Sequence, residues 1–308
     1  SGKLVGDVSL MDSIYWGEGW SWDDTPEAFQ PYLSPLMLNR GCVDIKVSPS
    51  SKGKAGVVEI TPESDYYQLN NRSISLHSEA GKLKITRDWL TNGNTIDVSG
   101  SVSSVRKRTL NLYDSKRFFM DTFCYKLKKE GLSVSKDSIF FLTTPDTVQW
   151  IYTCRRPVEA VLKRALKESD NLSAEALFRQ LGRMNGKHTS HISFKDCQGV
   201  VEGFMRNTLG YDSENYQIVD GSGVSLYNYV SPRLVLAYLN YAYRHPSLFR
   251  VFYDCLPVAG VDGTLQGRMR TGKAFRNVRA KTGTVTGISS LAGYLTSVNG
   301  HKISFVII

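Results

Sequence analysis

The chain has 308 residues, of which 41% are hydrophobic and 22% are charged. Such a composition is typical of a folded globular protein, and the length is sufficient for a large core divided between two domains. No apolar run approaches the roughly 18 residues that a membrane-spanning helix needs. The five histidines form no HExxH-type zinc motif. The net charge of +9 comes from basic residues that are not clustered with aromatic residues, which argues against a nucleic-acid partner.

The ends of the chain lead us to expect a piece of a longer protein. The sequence begins at Ser1 without a methionine and stops within the apolar run Phe305-Val306-Ile307-Ile308, so a leader peptide would be missing. The five cysteines are odd in number and widely spaced. We therefore expect buried free thiols rather than disulfides or a metal site.

The first part of the chain, 1–145, has mainly the pattern of β-strands. Apolar residues alternate with polar ones over 43–47, 57–60, 83–86 and 95–102, and Asn92-Gly93-Asn94 is a hairpin signal before the last of these. One helix is predicted over 115–130, capped by Asp114 and stopped by Gly131. Nothing in 41–130 has the pattern of a catalytic motif, so we interpret 1–145 as an accessory α+β region.

The second part, 146–308, alternates helices with short strands. Helical spacing and caps predict helices over 158–168, 172–181, 194–208, 232–244 and 247–255, with Gly182 ending the second one. Strands are predicted over 216–219, 277–281, 288–298 and 302–308. Tight links join the last three strands, which indicates an antiparallel sheet. This part is therefore also expected to be α+β.

Lys281-Thr282-Gly283-Thr284 lies on the predicted strand that begins this sheet. The lysine could neutralise a substrate carboxylate and a developing negative charge, and the threonine hydroxyls could bind that carboxylate. Gly283 would let a substrate backbone lie against the strand, and the Thr284 N–H could act as an oxyanion donor. The alternative is an ordinary hairpin edge with a solvated lysine.

Ser169-Asp170-Asn171 lies 112 positions earlier, between two predicted helices. Serine, aspartate and asparagine are all favoured at helix N-caps, so a capping turn explains the triplet by itself. The catalytic interpretation uses the serine hydroxyl to relay a proton and the asparagine amide to hold a substrate amide.

These two motifs, together with Ser-x-x-Lys, form the signature of class A β-lactamases and penicillin-binding proteins. Ser-x-x-Lys occurs three times, always inside the predicted accessory region, and we interpret all three as chance matches. They are Ser51-Lys52-Gly53-Lys54, Ser104-Val105-Arg106-Lys107 and Ser133-Val134-Ser135-Lys136.

On these residues the chain resembles the class C, low-molecular-mass penicillin-binding proteins, the D-alanyl-D-alanine carboxypeptidases/endopeptidases of peptidase family S13. The resemblance extends over nearly the whole chain. Its matching stretches include Gly19-Trp20-Ser21-Trp22-Asp23-Asp24, Ser169-Asp170-Asn171-Leu172-Ser173-Ala174-Glu175, Asp220-Gly221-Ser222-Gly223-Val224-Ser225, Gly263-Thr264-Leu265 and Lys281-Thr282-Gly283-Thr284.

The resemblance implies a serine transpeptidase/β-lactamase-like domain, incomplete here, with a large and mostly β inserted accessory domain. Residues 1–145 would be the insertion and 146–308 the C-terminal part of the penicillin-binding domain. The nucleophilic Ser-x-x-Lys would lie upstream of Ser1, so the 308 residues alone would be inactive.

The resemblance also implies roles for individual residues. Ser169, Asn171 and Lys281 would be catalytic, and Thr282, Gly283 and Thr284 would bind substrate, with no metal or organic cofactor. Peptidoglycan peptide stems and β-lactam antibiotics would be the partners, in the periplasm or cell envelope.

Two other hypotheses stay open. A non-catalytic, cell-wall-binding homologue that has lost its nucleophile would explain the missing Ser-x-x-Lys. A true β-lactamase is less favoured, because those enzymes lack so large an insertion and need a positioned base for deacylation that the sequence does not reveal.

Overall fold

The computed structural model describes residues 2–78, 81–184 and 190–308. The chain divides into two compact units. Unit 1 consists of Ser1–Trp16 and Ser21–Gln149, and unit 2 consists of Gly17–Trp20 and Trp150–Ile308. The four residues 17–20 therefore belong to unit 2, although unit 1 surrounds them in sequence.

Unit 1 is built mainly from short strands in three sheets. The strands are β1 (Leu4–Gly6), β2 (Cys42–Ser48), β3 (Val57–Thr61), β4 (Gln68–Ser75), β5 (Lys84–Arg87), β6 (Thr95–Val102), β7 (Arg106–Asn111) and β8 (Ile139–Phe141), and the helix is α1 (Ser115–Lys129). β1 pairs with β8 in parallel. The other sheets have the orders β3-β2-β7, which is antiparallel, and β4-β6-β5, in which β4 and β6 are parallel.

The core of unit 1 follows from period-2 alternation. On β2, Val43, Ile45 and Val47 are buried, and they cluster with apolar residues of β6 and with Phe118 of α1. Asp114 caps α1 by accepting a hydrogen bond from the Arg117 N–H at 3.1 Å. The predicted helix and the four predicted strands of this unit are confirmed.

Of the strands described in unit 1, the three-residue β1 and β8 and the longer β4 and β7 were not predicted from the sequence. β4 (QLNNRSIS) and β7 (RKRTLN) are mostly polar. Their exposed positions carry long polar side chains, so the alternation that marks a half-buried strand is weak. Each strand is held by a neighbour with a clearer pattern, β4 by β6 and β7 by β2.

Unit 2 places helices beside one antiparallel sheet. The helices are α2 (Val158–Lys167), α3 (Asn171–Met184), α4 (Phe194–Phe204), α5 (Pro232–Arg244) and α6 (Pro246–Cys255), and the strands are β9 (Arg279–Val285), β10 (Ile288–Thr296) and β11 (Lys302–Ile307). The strand order β11-β10-β9 confirms the predicted antiparallel sheet, although β9 begins later than expected and continues to Val285. A π-helical turn, Met205–Leu209, extends α4 to one residue beyond the predicted end at 208 and is followed by Gly210.

Aromatic packing joins the helices of unit 2 to its sheet. Tyr294 of β10 is fully buried, and its hydroxyl donates a hydrogen bond to the Leu239 carbonyl of α5 at 2.7 Å. Phe249 and Tyr253 of α6 pack around the same ring. Burial of this ring fixes β10, and with it the neighbouring strand β9.

Three sequence predictions in unit 2 were wrong. Gly182 does not end α3, which continues to Met184. A Cβ at this glycine would lie 2.8 Å from Ile192 Cγ2 and 2.9 Å from Cys197 Sγ, so the position serves close packing rather than a left-handed turn. The predicted strand 216–219 is only a bridge between Gln217 and Tyr229. Cys154 is exposed, whereas the other four cysteines are buried free thiols.

Both units combine helices and strands, which confirms the predicted α+β class. Within residues 2–78, 81–184 and 190–308, no helix has both the length and the apolar character that crossing a membrane requires.

Candidate active site

The site begins at the turn between α2 and α3. Ser169 adopts a left-handed conformation with φ of 56°, which reverses the chain between the two helices. Asp170 then caps α3, because its carboxylate accepts hydrogen bonds from the Ser173 N–H at 3.0 Å and the Ser173 hydroxyl at 2.5 Å. The capping interpretation therefore holds for Asp170. Asn171 is the first residue of α3 and is half-buried.

A second contact fixes the end of α2 just before this turn. The Lys167 ammonium contacts both carboxylate oxygens of Asp262, at 2.7 and 2.6 Å. Asp262 precedes the short 3-10 turn Gly263–Leu265, and Leu265 is buried in a cluster with Ala280 of β9. The ion pair and the apolar cluster together hold this turn between α2 and β9.

Lys281 of β9 meets the Ser169 turn directly. Its ammonium donates a hydrogen bond to Ser169 Oγ at 2.7 Å and another to the Thr282 carbonyl at 2.5 Å. Within the described residues, no carboxylate lies within ion-pair distance of this half-buried cation. Burial lowers the pKa of Lys281, since desolvation penalises the charged form.

This contact can move protons. A hydroxyl hydrogen-bonded to an ammonium of lowered pKa can give up its own proton while it accepts one from the lysine. The half-buried position strengthens the electrostatic effect of the lysine on any anion that binds beside it. Both properties suit the transfer of a proton to a leaving amine.

The remaining residues of the strand motif differ in their surroundings. The Thr282 hydroxyl donates a hydrogen bond to the Thr264 hydroxyl at 2.8 Å, so Thr264 joins the site. Thr284 is exposed farther along β9. A Cβ at Gly283 would collide with the Oγ of its cross-strand neighbour Ser290, which gives this glycine a structural reason besides substrate access. Thr264 was not among the predicted site residues.

A polar turn, Asp220–Ser225, is organised around the buried Asp220 carboxylate. Its hydrogen-bond donors are the Trp20 indole at 2.8 Å, the Ser222 hydroxyl at 3.1 Å, the Gly223 N–H at 2.9 Å, the Ser225 N–H at 2.8 Å and the Asn228 amide at 2.7 Å. Ser225 in turn donates its hydroxyl to the Glu18 carbonyl at 2.7 Å. These contacts explain why residues 17–20 belong to unit 2.

Sequence reasoning missed the partner of this turn, Glu175. Its Oε1 accepts hydrogen bonds from the Gly221 N–H at 3.1 Å and the Ser222 N–H at 2.8 Å. The pKa of Glu175 is raised to about 7. Burial is the main cause, and the negative charge of Asp220 is the second. Glu175 ends the matching stretch that begins at Ser169, but its burial and its contact with the turn at 220–225 cannot be recognised from that stretch.

Comparison with known proteins identifies the family of this chain. The sequence model of the D-Ala-D-Ala carboxypeptidase 3 (S13) family matches residues 1–308. D-alanyl-D-alanine carboxypeptidase DacB of Haemophilus influenzae is 25% identical over 313 residues, which cover 99% of this chain and 64% of that protein. The crystal structure of penicillin binding protein 4 (dacB) from Haemophilus influenzae has a TM-score of 0.80 at 24% identity, covering 99% of this chain and 68% of that one. A second structure of that protein, complexed with a β-lactam, has a TM-score of 0.72 at 22% identity, covering 99% of this chain and 66% of that one.

The chain therefore belongs to the D-Ala-D-Ala carboxypeptidase 3 (S13) family, which confirms the predicted family. It has the fold of penicillin binding protein 4, with a transpeptidase-like domain and a β-rich accessory domain, as predicted. The chain spans 64% of the length of the Haemophilus DacB carboxypeptidase that it matches.

Proposed function

We propose that the full-length protein is a serine-type D-Ala-D-Ala carboxypeptidase that cleaves peptidoglycan peptide stems through an acyl-enzyme. Family membership supports the reaction class. The observation that carries the proposal is the 2.7 Å contact between Lys281 Nζ and Ser169 Oγ, which joins two motifs 112 positions apart. An endopeptidase activity on cross-linked stems would use the same chemistry.

In this mechanism a serine attacks the carbonyl of the penultimate D-alanine, with its paired lysine as the base. Ser169 relays a proton to the departing amine, and the Lys281 ammonium beside it replaces that proton or stabilises the developing charge. Asn171 holds the substrate amide. Lys281, Thr282 and Thr284 bind the terminal carboxylate, with Gly283 beside the substrate backbone, and water then hydrolyses the ester.

The nucleophile belongs to a Ser-x-x-Lys element outside these 308 residues, which would be inactive by themselves. The three internal matches all lie in unit 1, whereas Ser169 and Lys281 lie in unit 2. Lys136, the lysine of one match, is 2.9 Å from the Asp65 carboxylate. This lysine is therefore engaged by a partner within unit 1.

We also place the protein in the periplasm or at the outer face of the cell envelope, where its substrate would lie. β-Lactams, which mimic the D-Ala-D-Ala end, would acylate the same serine. A β-lactam complex of penicillin binding protein 4 from Haemophilus influenzae supports this expectation.

The test is covalent labelling of the full-length protein with a fluorescent penicillin, together with D-alanine release from a peptide that ends in D-Ala-D-Ala. We expect both in the wild type, and loss of both in Ser169→Gly. Glycine suits the left-handed φ of this position, so the variant removes the hydroxyl without straining the turn.

Arg276→Gly is the matched control, because Arg276 also has a left-handed φ, of 58°, and is exposed. It should label like the wild type. Wild-type protein that neither labels nor releases D-alanine would contradict the proposal and favour a non-catalytic wall-binding homologue.

A further inference from the structure

Glu175 occupies an unusual environment for a carboxyl group. The side chain is 1% exposed and lies on α3, one helical turn after Asn171. Its Oε1 accepts both the Gly221 and Ser222 N–H groups. Its Oε2 is buried and has no hydrogen-bond partner among the described residues. A charged carboxylate in this position would leave one oxygen without any compensation, which is expensive in a buried environment.

The groups around Glu175 indicate which of two neighbouring acids, Glu175 or Asp220, is protonated. Asp220 faces it from the turn, Arg179 follows one turn later on α3, and Cys197 faces this region from α4. Asp220 receives five hydrogen-bond donors, whereas Glu175 receives two. Of the two neighbouring acids, Glu175 is therefore the one that is better accommodated as a neutral carboxyl. Its raised pKa agrees with this assignment.

The contacts of Glu175 connect two parts of the proposed site. Asn171 is the first residue of α3 and Ser169 lies in the turn just before it, and a helix transmits position rigidly over one turn. The Ser222 N–H of the Asp220–Ser225 turn donates to Glu175, and the Asp220 carboxylate accepts a hydrogen bond from the Trp20 indole. Removal of the Glu175 acceptor would leave two backbone N–H groups without a partner and would remove the hydrogen bonds that hold the turn to α3.

We propose that Glu175, in its neutral form, is a positioning residue that fixes the Asp220–Ser225 turn against α3, the helix that begins at Asn171 just after Ser169. The inference rests on the proposed function, because positioning matters only if that turn borders the reacting groups. Glu175 itself touches no reacting atom in this scheme and acts through the turn.

The experiment compares Glu175→Gln and Glu175→Ala in the full-length protein. Glutamine keeps the Oε1 acceptor and cannot ionise, whereas alanine removes the acceptor. The first readout is hydrogen exchange of the Gly221 and Ser222 amides. We expect protection to fall at least tenfold in the alanine variant and to stay within twofold of wild type in the glutamine variant.

The second readout is the rate of acylation by a fluorescent penicillin between pH 6 and 8.5. We expect about a tenfold loss in Glu175→Ala, near-normal rates in Glu175→Gln at pH 6, and a ratio of Gln variant to wild type that rises above pH 7. Glu159→Gln, an exposed glutamate on α2, is the control and should match the wild type throughout.

Each outcome decides the inference. Unchanged amide protection and acylation in a folded Glu175→Ala variant would overturn it, as would equal losses in the alanine and glutamine variants. If the wild type fails to bind penicillin, the proposed function fails, while amide exchange still reports whether Glu175 holds the turn.

Discussion

Each unit contains a cation that is withdrawn from solvent without a carboxylate partner among the described residues. Arg87 lies in unit 1 and is 2% exposed. Lys281 lies in unit 2 and is half-buried. Burial lowers the pKa of both groups. The difference between them lies in what receives their hydrogen bonds.

Arg87 directs its donors to fixed acceptors of unit 1. Its Nε is 2.8 Å from the Asn111 carbonyl, Nη1 is 2.8 Å from the Gly93 carbonyl, and Nη2 is 3.0 Å from Asn111 Oδ1 and 3.4 Å from the Tyr32 hydroxyl. These contacts bring β5, β7 and the loop before β6 together. Arg87 therefore serves as a structural cross-link.

Lys281 has an N–H group that makes no hydrogen bond within the described residues. Of its three N–H groups, one reaches Ser169 Oγ and one reaches the Thr282 carbonyl. The third has no acceptor among the described residues. A half-buried cation that has an unused N–H donor and a hydroxyl partner is more typical of a site that binds an anion than of a structural cross-link. The following changes test this distinction.

The largest expected effect is loss of stability in Arg87→Met. Removal of the guanidinium leaves the Asn111 and Gly93 carbonyls without donors in a buried region, so we expect a loss of about 3–5 kcal/mol in the free energy of unfolding. Urea unfolding measures it. Arg72→Met, at a position whose side chain is 68% exposed, should change stability by less than about 0.5 kcal/mol. Similar effects in both variants would contradict the cross-linking role.

Lys281→Met should have the opposite profile. We expect acylation by penicillin to slow at least about 100-fold, with unfolding free energy unchanged or increased near neutral pH. The lowered pKa means that the protonated lysine opposes folding until the pH rises toward its ordinary range, and methionine removes that opposition.

Lys302→Met is the matched control for Lys281. Lys302 is also a half-buried lysine of the same sheet, with the Tyr253 hydroxyl at 3.0 Å and the Thr296 hydroxyl at 2.9 Å. The Lys302→Met protein should be less stable than the wild type and should be acylated at the wild-type rate. Destabilisation by Lys281→Met comparable to that of Lys302→Met would argue for a structural role of both.

The pH dependence of stability gives a third test, located in unit 2. The pKa of Glu175 is raised from 4.5 to about 7, so the folded protein holds a proton that the unfolded chain has already released. The stability that Glu175 contributes is therefore fully present below pH 4.5 and is lost as the pH rises from about 4.5 to about 7, by up to about 3 kcal/mol. Thermal unfolding at several pH values should show a smaller fall for Glu175→Gln than for the wild type.

The smallest effect is expected for an exposed ion pair of unit 1. Lys46 and Glu59 lie 2.9 Å apart on neighbouring strands, with side chains 41% and 57% exposed. Lys46→Met should change the unfolding free energy by less than about 0.5 kcal/mol. A loss of unfolding free energy as large as that expected for Arg87→Met would mean that burial does not determine how much such contacts contribute to stability.

The sequence was sufficient for those parts of the molecule that depend on local pattern. Period-2 alternation predicted β2 and β6, and caps such as Asp114 predicted helix starts. Motif recognition selected Ser169 and Lys281. The contact between them was a hypothesis only, since nothing in a sequence fixes a distance between residues 112 positions apart.

Contacts between an acid and a distant turn could not be predicted in the same way. Glu175 meets Gly221 and Ser222 across 46 and 47 positions, and the Trp20 indole meets Asp220 across 200. Thr264 lay in the matching stretch Gly263-Thr264-Leu265, but its contact with Thr282 depends on how Leu265 packs and could not be predicted from that stretch. Gly182 was misinterpreted because a glycine that avoids a clash and one that ends a helix look alike in sequence.

The left-handed backbone at Ser169 limits which residues that position can accept. A β-carbon is disfavoured there by about 1 kcal/mol relative to glycine, and asparagine is tolerated better than serine. A library of substitutions selected for folding alone should therefore be enriched in glycine and asparagine at 169, whereas selection for β-lactam acylation should return serine. The preference of the backbone and the requirement of the chemistry point to different amino acids at the same position.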